Sequence, residues 1–102
     1  MAANREKINL ESYVVRPNDL PTTEVSGEIV MMNLEKGQYL ALDSVGSRIW
    51  EILEEEQAVK DIVKCLIDEY EVEEQTCQEH VLEFMNRLYE EGLLKLNESE
   101  RF

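Results

Sequence analysis

Residues 27–53 read GEIVMMNLEKGQYLALDSVGSRIWEIL, and the fold is decided by how this stretch is divided. Two apolar, β-prone runs, Ile29 to Leu34 and Gln38 to Leu42, flank Glu35-Lys36-Gly37. A glycine closing so short a connection suits a hairpin with a left-handed last position. Asp43 and Ser44 then offer side-chain oxygens ahead of a helical spacing of apolar residues at Val45, Ile49, Ile52 and Leu53, so one of the two caps a helix. This strand-to-helix unit is the base on which the downstream chain must pack.

Working outward, both hairpin faces carry apolar groups: Val30, Met32 and Leu34 on one, Ile29 and Met31 on the other, with Leu40 and Leu42 alternating with Tyr39 and Ala41. A sheet packed on one face alternates apolar with polar, so something must cover part of the second face. Residues 1–25 folding over it would do so, as would a bound partner. Upstream, Tyr13 to Arg16 has strand character and stops at Pro17. Residues 18–23 form a connection. Residues 1–11 are polar, without period, and expected to be disordered.

Downstream, Val59, Ile62, Val63, Leu66, Ile67 and Tyr70 make an unbroken helical stripe. Thr76-Cys77-Gln78-Glu79 has the form of a capping box, which starts a third helix at Cys77. That helix ends at Gly92, where a left-handed residue is expected. Leu93 to Leu96 is a short extended piece, and residues 97–102 are a polar tail. The apolar side chains of the third helix span roughly 160° of its circumference, from Phe84 to Leu82. We divide them into a core seam of Cys77, Val81, Phe84 and Leu88 and a flank of Leu82, Met85 and Tyr89, which serves either as a second contact surface or as deeper core.

Composition narrows the partners. With 102 residues the chain is long enough for one modest core, and 23 acidic against 10 basic residues give a net charge of −13, which repels nucleic acid and anionic membranes. Residues 1–12 lack the apolar core of a signal peptide, and no stretch approaches the roughly 18 apolar residues of a membrane span; a cytoplasmic location is expected. Cys65 and Cys77 have neither C-x-x-C spacing nor a His pair, so they read as free thiols, with no metal site and no cofactor. His80 is the single histidine and belongs to no nucleophile–base motif, and the glycines are isolated; the chain does not read as an enzyme.

Strands followed by three helices and a short extended tail also form a winged-helix layout, whose usual use is DNA binding. Here the would-be recognition helix carries Glu79, Glu83, Glu90 and Glu91 against Arg87, the opposite of what phosphates require. A peptide binder remains, and so does an acidic adaptor or DNA-mimicking regulator with a folded protein partner.

With these residues placed, the chain resembles the PqqD-like family of small peptide-recognition domains (RiPP recognition elements). The resemblance covers residues 12–96. It rests on Gly37-Gln38-Tyr39-Leu40-Ala41-Leu42-Asp43, on Gly46 with Ile49-Trp50 and Leu53, and on Val81, Phe84, Leu88 and Gly92-Leu93-Leu94. GEIVMMNLEKGQY, YEVEEQTC and LYEEGLL look most like the stand-alone acidic members of lasso-peptide pathways. Gln57-Ala58 departs from the pattern, standing where a small polar cap is usual.

The resemblance implies an α+β, winged helix-turn-helix-like fold: a three-stranded antiparallel sheet followed by three helices. It implies non-catalytic binding of a precursor's leader peptide, whose Tyr and Pro suit an apolar slot. The leader would lie as an extra antiparallel strand beside Gln38, Tyr39, Leu40, Ala41 and Leu42, walled by the third helix through Leu82, Met85 and Tyr89. The further partners it implies are a separate cysteine protease and an ATP-dependent cyclase.

Overall fold

The computed structural model describes residues 8–18 and 20–97; the tail expected over residues 98–102 and the disorder expected over 1–7 lie outside them. The elements, in chain order, are β1 (Tyr13–Val15), β2 (Thr22–Val25), β3 (Glu28–Asn33), β4 (Gln38–Ala41), α1 (Ser44–Ile52), β5 (Gln57–Ala58), α2 (Val59–Tyr70), α3 (Glu74–Glu90) and β6 (Lys95–Asn97). The α+β layout expected from the sequence is present, but its strands form two antiparallel three-stranded sheets, β5-β1-β6 and β2-β3-β4. The first strand therefore does not join the hairpin. It pairs instead with two strands of two and three residues, too short to show a period of their own.

The hairpin gains a third strand from residues read as a connection. Val25 and Glu28 close a two-residue turn in which Ser26 (φ 55°) and Gly27 (φ 83°) both take positive φ, the geometry that matches strand twist in tight hairpins. Gly37 (φ 63°) closes the β3–β4 loop in the left-handed conformation expected of it, although the loop also takes in Leu34, since Asn33 pairs with Gln38. Asp43 caps α1, accepting from Gly46 N–H at 2.8 Å. Ser47 then bolts α1 to the hairpin: its buried hydroxyl accepts from Ile29 N–H at 2.9 Å and donates to Leu42 C=O at 3.3 Å.

Helix α2 has no side-chain N-cap, and the unusual Gln57-Ala58 is explained by what replaces one. Val59 N–H donates to Ser12 C=O at 2.9 Å and Lys60 N–H to Leu10 C=O at 3.1 Å, so backbone carbonyls satisfy two of the free donors of the first turn. Residues 8–11 are consequently not the disordered segment expected from their polarity. Ile8 is buried, and Asn86 holds both its N–H (2.9 Å) and its C=O (3.2 Å).

Helix α3 begins at Glu74, three residues before the expected start, with Glu73 as an N-cap that makes no side-chain bond. The capping box does not form: Thr76 lies inside the first turn and its hydroxyl donates to the Glu73 carboxylate at 2.9 Å. At the other end Gly92 (φ 78°) terminates the helix as expected. Gly92 N–H donates to Tyr89 C=O at 3.1 Å and Leu93 N–H to Leu88 C=O at 2.8 Å, the paired bonds of a Schellman ending. Asn97, expected in the polar tail, belongs to β6. The core joins Val14, Met31, Leu42, Ile49, Trp50 and Leu53 to the buried faces of α2 and α3.

Candidate functional site

Strand β4 forms one edge of its sheet, and its register shows which backbone groups are free. Leu42 N–H donates to Ile29 C=O at 2.8 Å, so Leu42 and Ile29 face each other as a bonded pair. Bonded and non-bonded pairs alternate along an antiparallel ladder. Met31–Leu40 and Asn33–Gln38 are therefore bonded pairs, whereas Met32–Tyr39 and Val30–Ala41 are not. The N–H and C=O groups of Tyr39 and Ala41 thus point away from β3, toward the open edge.

That edge borders a groove of about 740 Å³. Leu40, Ala41 and Leu42 form its sheet side, Val45, Gly46 and Ile49 its α1 floor, and Thr76, Cys77, His80, Val81, Phe84 and Arg87 its α3 wall. Gly46 keeps the turn into α1 uncrowded: a Cβ there would stand 3.3 Å from both the Asp43 capping oxygen and Leu42 Cβ, with Phe84 of α3 at an ordinary contact of 3.5 Å. Leu66, Tyr70 and Val72 extend the apolar lining beyond α1.

The α3 wall is not the one assigned from the stripe. Met85 is fully buried, Leu82 is half-buried and packed against the core, and Tyr89 is 38% exposed; none of the three is among the groove's lining residues. Phe84, assigned to the core seam, is only half-buried and faces the groove. The core centres on Val81, Leu88 and Met85, the middle of the stripe, so its two borders become side walls. Segment 8–12 occupies the Leu82 side through Asn86, which leaves the Phe84 side open. Thr76, His80 and Arg87 continue that border at helical spacing, a polar extension that an apolar stripe does not reveal. Of the residues expected on the strand, Leu40, Ala41 and Leu42 line the groove, while Gln38 and Tyr39 lie beyond it toward the hairpin tip, with Tyr39 74% exposed.

Outside the groove an ion-pair cluster joins α1 to α2. Arg48 forks onto Glu69 (2.7 and 2.9 Å) and also reaches Glu51, and the bond from Arg48 holds the Glu69 carboxyl below the usual range. Burial pushes both cysteine thiols up, which disfavours the nucleophilic thiolate. Among the described residues no group of three or more His, Cys, Asp or Glu is placed to hold a metal ion, and no helix is long and apolar enough to cross a membrane.

Residues 28–94, the span from β3 to the end of α3, match the family model described as coenzyme PQQ synthesis protein D (PqqD). The chain belongs to the PqqD family. Among solved structures it is similar to TbiB1 in complex with the TbiA(beta) leader peptide, at 32% identity and a TM-score of 0.71, covering 79% of this chain and 94% of that one. No curated protein sequence matches it. The PqqD match takes in β3, β4, α1 and the whole α3 wall, and so the groove with its open strand edge, but not β1 or β2.

Proposed function

We propose that this chain binds the leader segment of a ribosomally made precursor peptide, without catalysis, as an added strand along β4. The observation that carries this reading is the free edge of Tyr39 and Ala41 beside an apolar groove. Main-chain hydrogen bonds at such an edge set register, and pockets for alternate side chains give selectivity. The bound leader in the similar TbiB1 structure supports it. On this reading Leu40, Ala41 and Leu42 give the strand side, and Val81, Phe84 and His80 replace Leu82, Met85 and Tyr89 as the helical wall. Tyr39 contributes backbone groups.

The pathway is that of a lasso peptide, in which the protein presents the leader in the cytoplasm to a separate cysteine protease and an ATP-dependent cyclase. The likeness to stand-alone acidic members of such pathways supports this finer assignment. Ordering a disordered peptide offsets much of a standard interface, so affinity should be submicromolar to micromolar, roughly −8 to −9 kcal/mol. Titration of a labelled leader peptide into the purified protein tests the proposal. Saturable binding in that range is expected, and no binding at a hundredfold higher concentration would reject it. Retardation of duplex DNA at low salt, where phosphate attraction is greatest, would point to the winged-helix alternative.

A further inference from the structure

The groove is apolar along most of its length, yet Arg87, a permanent cation, stands in its wall. In a chain of net charge −13 such a cation should find a carboxylate close by. Glu83 and Glu91 lie four residues to either side, the spacing of helical ion pairs. Arg87 pairs with neither. Lys36 Nζ takes the Glu91 carboxylate at 3.2 Å, and Asn33 Nδ2 donates to the Glu91 carbonyl at 3.2 Å. Arg48 is committed to Glu69 and Glu51, and Arg16 donates to the Trp50 carbonyl at 3.1 Å. Among the described residues Arg87 alone of the arginines makes no side-chain hydrogen bond or ion pair.

We infer that Arg87 reads a carboxylate side chain of the bound peptide; this rests on the leader-binding proposal above. A guanidinium offers a planar fork of donors that fits a carboxylate, and apolar walls on one side reduce the water competing for it. The surrounding acidic surface repels carboxylates elsewhere along the peptide, so this contact also selects register.

Its place along the peptide follows from the fold. The contacts of Asn33 and Lys36 with Glu91 set the hairpin tip beside the C-terminal end of α3, so Arg87 lies at the tip end of the groove and Thr76 at the other. A strand antiparallel to β4 runs toward that tip. The recognised Asp or Glu is therefore C-terminal to the leader residue that pairs with Ala41.

A series of leader peptides, each with one Asp→Asn or Glu→Gln change, titrated against the parent protein and Arg87→Gln tests this. One change, C-terminal to the leader residue paired with Ala41, should weaken binding to the parent about fivefold, at the upper end for an exposed ion pair. The same change should leave binding to Arg87→Gln unaltered, and Arg87→Lys should restore part of the loss. Arg87→Gln binding the parent leader as tightly as the unmodified protein would overturn the assignment. So would losses that simply add for every carboxylate. If the unmodified protein binds no leader at all, the proposed function itself fails and this inference falls with it.

Discussion

The two sheets of this small domain are built in opposite ways. Sheet β5-β1-β6 draws two- and three-residue strands from both ends and the middle of the chain, with Val14 at its centre wholly buried. Sheet β2-β3-β4 is made from strands consecutive in sequence, and its outward side leaves Val25 and Tyr39 at 56% and 74% exposure. The first sheet ties distant segments together, whereas the second completes itself locally and keeps an edge free. On the proposed function, closure and recognition are divided between them: damage to the first should be read in stability, damage to the β4 edge in affinity.

The largest effects should come from the helix on which the core rests. Met85→Ala and Leu88→Ala, both fully buried, should each lower stability by about 2–5 kcal/mol, read from urea midpoints. A small loss for Met85→Ala together with a large loss of leader affinity would return Met85 to the groove.

Leu40→Pro removes an N–H that bonds to β3 and should cost about 3 kcal/mol or more, enough to unfold the hairpin as seen in backbone amide shifts. Val14→Ala, at the centre of the closing sheet, should cost about 2–3 kcal/mol and leave leader affinity unchanged in the folded fraction. An affinity loss there would break the division between the sheets.

Tyr39→Pro is the counterpart of Leu40→Pro on the open edge. Its N–H is unused in the free protein, so the variant should fold, yet bind leader at least about 1.4 kcal/mol, or tenfold, more weakly. Unchanged affinity would reject strand addition at this edge.

The smallest effect concerns pH. Because Arg48 holds the Glu69 carboxyl below its ordinary value, the pair's contribution is present above the unfolded carboxylate range near pH 4.5 and disappears as pH falls through the lower folded value. Parent and Glu69→Gln should therefore converge in stability at acid pH, having differed slightly at neutral pH.

Much of the architecture was legible before any coordinates. The β3–β4 hairpin, a cap at Asp43 or Ser44, the α2 stripe and the Gly92 ending all lie within short continuous stretches of chain, where residue type and spacing suffice. Errors gathered where a local rule met a distant competitor. The Thr76 capping box satisfied the residue pattern, but the chain turns into the helix at Glu74, which places Thr76 in the first turn and directs its hydroxyl to Glu73. Residues 8–11 look disordered because they are polar, yet the free N–H groups of α2 and the Asn86 amide hold their backbone.

By itself, then, the sequence determined the β3–β4 hairpin and the three helices, the acidic charge, the strand Gln38–Leu42 beside a helix with too wide an apolar face, and the family resemblance. Tertiary structure alone decided which border of α3 meets the core and which meets the groove. A wide stripe has two equivalent edges until another element covers one, and segment 8–12 does so on the Leu82 side. It also decided which partners β1 takes and which amides of β4 stay free. A strand of two or three residues carries no period, and a shift of one residue in register exchanges every bonded amide for a free one.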